Sequence, residues 1–501
     1  MTTATSEPAP KAQAEGAGAG FLSKFTVLRG AARELWVTFA VKFLGVMAYK
    51  VTVLTLALWL MADFGYGDAD AGSVVAAWSI SMTIVTLLVG SLTDTIGLRR
   101  TFYLGVWICV VARAVMAFTT IKWVALAAGL FPLAVGEALG TPVLVAAVRK
   151  YSTTQQRSIS YSLFYTIMNL GFMVAAFLFD YFRQSLGERG QITLPLVNCQ
   201  LTTYRTLFFA ALVIEIAILP VIYFIRGGVE VTDDGIQVTP EAPRRAGENL
   251  WSSIWRTVSD GAKGTLNLFG GLVQQAGFYR LLAFLMLIAF LKLIFMQMDY
   301  VFPKFGIREL GEGAPVGRLV AINNILIVFL VPFVGAMTQR FSAYRMVIVG
   351  GVMSALSVFV MALPAAWFQT LADGFVGRWI GHGYLGLAGD VHPYYVMITL
   401  FVILMSFGEA FYSPRVYEYA AAIAPKGQEA SYAALSYIPF LLAKLIVGTI
   451  SFRLLAKYCP EVGERNSGAM WLVIGLIATI APVGLILLRR YIRVHEAGRE
   501  D

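Results

Sequence analysis

The sequence predicts an all-α polytopic membrane protein with about twelve transmembrane helices in two bundles of six. Hydrophobic residues make up 58% of the 501-residue chain and charged residues 14%, whereas soluble globular chains average roughly 45–50% and 25%. The mean hydropathy is +0.71. A bilayer core needs roughly 20 apolar residues per helix, and stretches of this kind lie near 35–62, 73–93, 101–120, 123–148, 159–182, 205–226, 280–304, 316–337, 345–368, 393–423, 430–456 and 468–489.

A polar stretch divides these spans into two groups of six. The start of the chain is rich in Ala, Gly, Pro and Glu and has no apolar run after a basic segment, so it is not typical of a signal peptide. We expect a disordered or amphipathic cytoplasmic N-terminus, an N-terminal bundle, a cytoplasmic linker, a C-terminal bundle and a cytoplasmic tail. Their expected bounds are 1–33, 34–226, 227–277, 278–491 and 492–501.

The linker carries two local signals. Residues of alternating polarity flank Asp234-Gly235, a pattern that is typical of a β-hairpin. Over 251–279, apolar side chains recur at helical spacing beside basic ones. This segment therefore predicts an amphipathic helix on the membrane surface.

Lys and Arg are concentrated in one set of the predicted loops, and the alternate loops are poorer in them. Cytoplasmic loops usually carry this excess, so we expect both termini in the cytoplasm and a multi-pass protein of the cell (inner or plasma) membrane. An even number of spans also requires the two termini to lie on the same side of the membrane. The expected partners are the lipid bilayer and a small-molecule solute, and the net charge of +9 fits basic loops rather than nucleic-acid binding.

No catalytic or metal site is predicted. The sequence shows no nucleophile–base pair, zinc-type spacing or glycine-rich phosphate loop, so we expect neither an enzyme nor a cofactor. The three cysteines are too few for a disulfide framework. Cys109 lies in a predicted span, while Cys199 and Cys459 fall in loops on the same outer side, where two free thiols or one bridge would both fit.

The loop between the second and third spans carries a motif, GSLTDTIGLRR, that contains Gly90, Asp94, Gly97, Arg99 and Arg100. The glycines allow helices to approach closely, the aspartate suits a helix N-terminus, and the arginines hold the cytoplasmic face. The loop resembles the signature of the major facilitator superfamily. That resemblance implies a secondary transporter whose two halves rock about a central site.

Two spans resemble a narrower family, the proton-dependent oligopeptide transporters. The matching segments are FYTIMNLG at 164–171 and GEAFYSP at 408–414, with a weaker likeness at 322–332. In that family the glutamate of span 10 receives the peptide amino terminus, and the asparagine of span 5 helps to hold the peptide backbone. The resemblance implies these roles for Glu409 and Asn169.

Glu409 also attracts attention on chemical grounds. An ionised carboxylate at the centre of a bilayer costs roughly 2.5–3.5 kcal/mol, so it normally faces a cavity or a partner charge. A carboxylate pairs well with an ammonium group. We therefore expect Glu409 to contact a substrate or an ion.

The first span departs from the family pattern. The acidic motif that couples protons to transport is replaced by a segment containing Lys42, Tyr49 and Lys50, and Thr141 replaces the lysine of the fourth span. Two lysines eight residues apart lie near one face of a helix and can bind an anionic group, although Lys42 also suits snorkelling to the interface. The family implies H⁺ as the coupling ion. The lost motif favours an alternative, an organic-anion or metabolite transporter or exchanger without proton coupling.

The seventh span adds polar candidates. Lys292 and Asp299 are two helical turns apart, and either face the cavity as a pair or lie at separate interfaces. Gln297 matches a glutamine that is common in this span of the family. Together with Tyr49 and Tyr165, which suit an aromatic lining, Lys292 and Gln297 complete the predicted substrate contacts.

Further charged residues suggest gating or coupling. Lys444 in the eleventh span is placed to reach Glu409 or Asp299 as a salt bridge that opens during transport. Arg415 and Glu418, at positions i and i+3, are expected to neutralise each other.

A separate group in the first half is interpreted as structural. Arg113 and Glu137 are expected to form an ion pair, and Glu215 also favours a structural role over substrate binding. The whole pattern predicts a monomeric secondary active transporter, a symporter, that moves a small peptide-like or zwitterionic solute by alternating access.

Overall fold

The fold is taken from a computed structural model, which describes residues 28–88, 98–194, 199–232, 235–238, 274–338, 340–423 and 438–493, and residues 256, 259, 263 and 270. Helices α1 to α12, numbered in chain order within this described part, run back and forth through two bundles. They are α1 (Arg33–Phe64), α2 (Asp68–Leu88), α3 (Leu98–Phe118), α4 (Lys122–Lys150), α5 (Thr154–Leu186), α6 (Thr203–Tyr223), α7 (Ala276–Tyr300), α8 (Val316–Met337), α9 (Ala343–Val360), α10 (Pro393–Ile423), α11 (438–458) and α12 (Ser467–Leu487).

Eleven of the described helices are long and apolar enough to cross a membrane. The remaining one, α11, combines helix 438–446, a π-helical stretch at 447–451 and helix 452–458; the start of its predicted range lies outside the described residues. Large apolar side chains such as Trp123 and Phe329 are 73% and 71% exposed, as expected for helix surfaces that face lipid. The predicted class of all-α membrane protein is confirmed.

Two helices end earlier than the sequence predicts. α7 stops at Tyr300, and a separate helix, Phe302–Leu310, follows with Pro303 in its first turn. Proline lacks the N–H that a continuing helix would need, whereas the first turn tolerates it. α9 stops at Val360, and the rest of the predicted span, together with the following loop, folds into short helical pieces between 365 and 385.

Two antiparallel hairpins flank α6. The hairpin predicted around Asp234-Gly235 is present, with β3 (Val229–Thr232) paired to β4 (Gly235–Val238). The other, β1 (Gln191–Leu194) with β2 (Cys199–Thr202), was not predicted because no Asp-Gly or Asn-Gly pair stands between its strands in the sequence. The N-terminal tail up to residue 27 and most of the predicted amphipathic helix lie outside the described residues, and the last four residues of that predicted helix belong to α7.

The helices define two ends of the molecule. We call the end where α1 begins, at Arg33, the near end, and the end where α1 stops, at Phe64, the far end. Since successive helices alternate in direction, the described connections at the far end are 65–67, 119–121, 187–194 with 199–202, 301–315, 361–392 and 459–466.

The two halves share a hydrophobic core only toward the far end. One cluster of buried side chains contains Trp59 from the first half together with Phe302 and Trp471 from the second. Two further clusters each belong to one half, one around Phe39 and the other around Tyr344. Among the described residues, the large apolar core that the halves share therefore lies toward the far end, and the cores around Phe39 and Tyr344 each belong to one half.

Polar contacts reinforce the far-end seam. The Asp180 carboxylate at the end of α5 accepts the backbone N–H groups of Gly317 and Arg318, both at 2.7 Å. These groups belong to the first turn of α8, where a negative charge is stabilising. Arg183 donates to the carbonyl oxygen of Ala314 at 2.7 Å. The first half thus caps a helix of the second.

Glycine allows one close helix contact across the seam. A Cβ atom on Gly448 of α11 would lie 2.2 Å from the Cβ atom of Ala76 and 2.7 Å from the carbonyl oxygen of Gly72, both on α2. Any side chain at Gly448 would therefore push α2 and α11 apart. The sequence places glycine here because the backbones nearly touch.

Candidate functional site

A central cavity lies between the two halves. Its volume is about 130 Å³, and the first half and the second half both contribute walls. Five of the predicted site residues line it, namely Lys50, Tyr165, Asn169, Asp299 and Glu409. The fold therefore brings residues from α1, α5, α7 and α10 into one place.

Glu409 projects from α10 into this cavity. The Nδ2 group of Asn323, on α8, donates to its Oε2 at 3.1 Å and to the hydroxyl oxygen of Ser406 at 3.0 Å. One amide therefore fixes the carboxylate and the helix turn before it. Hydrogen bonds to charged groups are stronger than neutral ones, so Asn323 holds Glu409 in a defined orientation through one of its two oxygens.

Lys50 and Asp299 form an ion pair across the two halves. Lys50 comes from α1 and Asp299 from the far part of α7, and both line the central cavity. The Lys50 ammonium also lies 5.2 Å from the ring centre of Phe172. The partner of Asp299 is therefore Lys50, rather than Lys292 from the same helix.

Lys292 lies beside the cavity without being part of its wall. It is 7% exposed, and its Nζ atom is 3.3 Å from the hydroxyl oxygen of Ser413 and 5.1 Å from the ring centre of Tyr412. It is also close enough to interact electrostatically with Glu409. Lys292 thus supplies positive charge behind the carboxylate.

Asparagines complete the polar lining. The Nδ2 group of Asn169 donates to the carbonyl oxygen of Tyr165 at 3.0 Å, and the Oδ1 atom of Asn169 takes no part in this hydrogen bond. Asn324 is 5% exposed and lines the cavity, and its amide nitrogen has no hydrogen-bond partner among the described residues. The sequence carried a signal for this site, since the Asn323-Asn324 pair falls in an apolar span, but neither residue was among the predicted contacts.

A second, larger cavity lies next to the central one. We call it the near-end cavity; its volume is about 370 Å³, and it shares Met168 and Phe172 with the central cavity. Three predicted residues, Lys42, Tyr49 and Lys444, line it. The predicted site is therefore divided between two adjoining spaces.

The two lysines of the near-end cavity come from opposite halves. Lys42, on α1, has its ammonium 4.6 Å from the ring centre of Phe164. Lys444, on α11, was expected to reach Glu409 or Asp299, but it donates instead to the carbonyl oxygen of Ser79 at 3.3 Å and to the hydroxyl oxygen of Thr83 at 3.0 Å. Because the α2–α11 contact is so close, the lysine crosses to the first half.

A charged triad forms part of the wall of this cavity. Arg113, which is fully buried, donates to Glu137 at 2.5 Å and to Glu215 at 3.0 Å. The expected pair of Arg113 and Glu137 is present, and Glu215 joins it. The triad links α3, α4 and α6, so its geometry is that of a structural connection within the first half.

Several other predicted residues lie away from both cavities. Gln297 is fully buried and donates to the hydroxyl oxygen of Ser451 at 2.5 Å, which joins α7 to α11. Arg415 donates to the carbonyl and hydroxyl oxygens of Thr338, both at 3.0 Å, and so connects α10 to α8. The Glu418 side chain lies outside the described part of the structure, so its expected pairing with Arg415 stays a prediction.

The signature loop is described only in part. Gly90, Asp94 and Gly97 lie outside the described residues. Arg99 and Arg100 begin α3 at the near end, and Arg99 packs over the ring of Tyr223, its guanidinium carbon 5.5 Å from the ring centre.

The two loop cysteines do not form a bridge. Cys199 is partly exposed in β2, whereas Cys459 is buried after α11, and both thiols are free. Cys459 lies 3.4 Å from a carboxylate oxygen of Glu309. Of the two arrangements that the sequence allowed, the structure contains the free thiols.

The sequence matches a family model over most of the twelve-helix core. The match covers residues 38–384 and is to the Major Facilitator Superfamily. The chain belongs to the Major Facilitator Superfamily. No curated protein sequence matches the chain.

Solved structures of similar fold include several peptide transporters. A bacterial homologue of the human drug peptide transporters PepT1 and PepT2 is 16% identical, with a TM-score of 0.65 over 91% of this chain and 99% of that one. A POT family transporter in complex with 5-aminolevulinic acid is 15% identical, with a TM-score of 0.67 over 92% and 97%. A peptide transporter POT in complex with sulfate is 16% identical, with a TM-score of 0.64 over 92% and 95%. At this identity the likeness concerns the fold, and it confirms the structural resemblance to the peptide-transporter branch of the superfamily.

Proposed function

We propose that this protein is a secondary active transporter that moves a small peptide-like or zwitterionic solute by alternating access. One observation carries the proposal. Glu409, held by Asn323, faces a cavity at the seam between the two halves, where an ammonium group would find a fixed and partly desolvated carboxylate.

The rest of the central cavity suits a solute with a peptide-like part. The amides of Asn169 and Asn324 can donate to a carbonyl and accept from an N–H group, and Asn324 has an unused donor. The aromatic ring of Phe172 and the side chain of Met405 give the same cavity apolar surface. A similar fold has been solved with 5-aminolevulinic acid, a molecule that carries an amino and a carboxyl group.

The packing of the two halves supports alternating access. The described seam is closed at the far end by a shared core and by the Asp180 contacts, while each half has its own core at the near end. The excess of Lys and Arg in near-end loops favours a cytoplasmic near end. On this basis the structure corresponds to a state closed toward the outside, and transport would require the far-end seam to open and the near end to close.

The ion pair between Lys50 and Asp299 can couple solute binding to the movement of the two halves. It joins α1 to α7, so it must lengthen or break when the halves separate at the far end. A solute whose charged groups compete for either partner would lower the cost of breaking it. H⁺ is the coupling ion proposed for this step, acting on Asp299 once Lys50 is displaced.

A second function of the same fold is favoured by a different observation. Lys444 lines the near-end cavity and forms no ion pair with any described residue. An organic-anion or metabolite exchanger without proton coupling would use such an ammonium. A transport rate that does not change with the proton gradient and is lowered by dicarboxylates would favour this alternative.

The test is uptake of a labelled dipeptide library by proteoliposomes. Glu409→Gln should reduce uptake at least about tenfold, since a charge-assisted bond is worth roughly 1.5–3 kcal/mol, while Glu464→Gln on an exposed far-end loop should leave it unchanged. Equal uptake by the wild type and by Glu409→Gln would remove the role assigned to Glu409.

A further inference from the structure

Lys444 occupies an unusual electrostatic position. It is 7% exposed, it belongs to the second half, and it reaches α2 in the first half, where the carbonyl oxygen of Ser79 and the hydroxyl oxygen of Thr83 accept its N–H groups. Both acceptors are neutral. An ammonium has three donors, so one donor remains for the near-end cavity that Lys444 lines.

The other buried cations of the central region each have an acidic neighbour. Lys50 is paired with Asp299, and Lys292 lies within the electrostatic reach of Glu409. Glu137 and Glu215, which line the near-end cavity, are both bound by the buried Arg113 behind them. With both carboxyl groups ionised, this triad would carry one net negative charge.

Lys42 is the natural counter-charge of that triad. It lines the same cavity as Glu137, with which it interacts electrostatically. Within the part of the chain that the structure describes, Lys444 is then the cation of this region without a carboxylate partner. A buried charge is expensive unless it is paired, so a ligand that supplies a negative charge here gains an interaction that the protein itself leaves unmade.

We propose that Lys444 binds the anionic group, a carboxylate, of the transported solute. This inference rests on the transporter function proposed above and deepens it, because it assigns the acidic end of the solute to α11 of the second half rather than to Lys50 of the first, which Asp299 already neutralises. The solute is then a molecule with an ammonium group near Glu409 and a carboxylate near Lys444.

The two cavities lie side by side, as such a molecule would require. They adjoin at Met168 and Phe172, and the opposite charges of Glu409 and Lys444 lie in different cavities. A solute that spans the junction places its apolar middle against these two side chains. Lys444 already connects the two halves through Ser79 and Thr83. A carboxylate bound to Lys444 would compete with these contacts, so binding would affect how closely α2 and α11 are held together.

The experiment compares two probes that differ only in the acidic group. L-alanyl-L-alanine and L-alanyl-L-alanine amide are titrated against the purified full-length protein in nanodiscs, with succinate as a third probe without an ammonium group. The wild type should bind the free acid about tenfold or more tightly than the amide. Lys444→Gln should bring this ratio close to one, and Lys444→Arg should keep most of it.

The matched control is Lys457→Gln, which removes an exposed lysine of the same α11 and should leave the acid-to-amide ratio unchanged. A preserved ratio in Lys444→Gln would overturn the assignment, and so would a wild type that binds the acid and the amide equally or binds none of the three probes. If succinate binds and loses its affinity in Lys444→Gln while neither dipeptide binds, Lys444 is the anion site but the peptide-like function is wrong. If the dipeptide depends on Glu409 and not on Lys444, the proposed function stands and this inference fails.

Discussion

Arg308 and Asp68 form a two-bond ion pair across the far-end seam. The Nη1 and Nη2 groups of Arg308 donate to the two carboxylate oxygens of Asp68 at 2.8 and 2.9 Å. The side chains are only 6% and 11% exposed. Parallel bonds between a guanidinium and a carboxylate are among the stronger polar contacts in proteins, so this pair fixes the start of α2 against the helix that follows α7.

Asp68→Asn should shift the protein toward a state that is open at the far end. The substitution removes a charge-assisted bond worth roughly 1.5–3 kcal/mol and leaves the buried guanidinium of Arg308 with only the longer, 3.8 Å contact to the exposed carboxylate of Glu461. Distances between spin labels at Ile121→Cys and Val462→Cys, both on exposed far-end loops, measure the shift. A background without the native cysteines is used, and the long-distance population should rise about tenfold.

The control for this measurement is Glu464→Gln, which neutralises an exposed acid on the same end of the molecule. It should leave the label distances as they are in the parent. If Asp68→Asn gives the same distance distribution as the control, the ion pair does not contribute to closure.

Gly448→Leu should also open the far end, for a steric reason. The new side chain would begin 2.2 Å from the Cβ atom of Ala76, so α2 and α11 cannot keep their present distance. The same label pair should report longer distances. Gly389→Leu, placed where a Cβ atom meets nothing within 4 Å, is the control, and an unchanged distance in Gly448→Leu would show that the close contact is not part of the seam.

Asn323→Ala should weaken solute binding without changing any charge. Asn323 orients Glu409 through a 3.1 Å bond, and the loss of a bond to a charged group corresponds to roughly tenfold in affinity or more. Titration of L-alanyl-L-alanine measures the effect. Gln200→Ala, which removes an exposed amide from β2, should bind the dipeptide normally; wild-type affinity in Asn323→Ala would show that the carboxylate needs no such support.

Arg113→Gln should lower stability rather than alter specificity. It leaves Glu137 and Glu215 buried without their cation, and removing one partner of a buried ion pair typically costs about 3–5 kcal/mol. Thermal unfolding of the purified protein should show a clear loss, which Glu215→Gln added to Arg113→Gln should partly restore. Arg149→Gln, at an exposed site on the near end, serves as the reference, and an equal melting temperature for Arg113→Gln would contradict the structural role.

Cys459 should react slowly with maleimide, and increasingly fast as the pH rises. Burial raises the pKa of the Cys459 thiol to about 11, and the thiolate is the reactive form. Well below this pKa the thiolate fraction rises roughly tenfold per pH unit, so the labelling rate should do the same between about pH 7.5 and 9.5. The measurement uses a chain without Cys109 and Cys199, and a rate independent of pH would contradict the raised pKa.

The helical architecture was largely predictable because length and hydropathy are local properties of the sequence. The ends of the spans were predicted less accurately. The break after Tyr300 depends on Pro303, and the early end of α9 depends on how the segment after Val360 folds at the far end; neither is visible in average hydropathy. The hairpin of β1 and β2 was not predicted because its sequence lacks the Asp-Gly turn signal that identified the equally short strands β3 and β4.

The site was predicted in part. Buried charges in apolar spans are costly, so Glu409, Lys50 and Asp299 could be recognised as site candidates from composition alone. Their partners could not, because pairing depends on how helices from different halves meet. Lys444 illustrates this point, since it meets two oxygen atoms of α2 that no sequence spacing relates to it.

The described core has one large cluster shared by the halves and separate clusters around Phe39 and Tyr344, and this has a consequence for inherited or engineered variants. Substitutions around Phe39 or Tyr344 should reduce the amount of folded protein and leave the turnover of the surviving molecules intact. Substitutions around Trp59, Phe302 or Trp471 should change both, because in the proposed cycle the two halves separate at this shared cluster and then close again. Comparing protein abundance with turnover per molecule, variant by variant, would therefore identify the side chains at which the two halves separate, without a structure that is open at the far end.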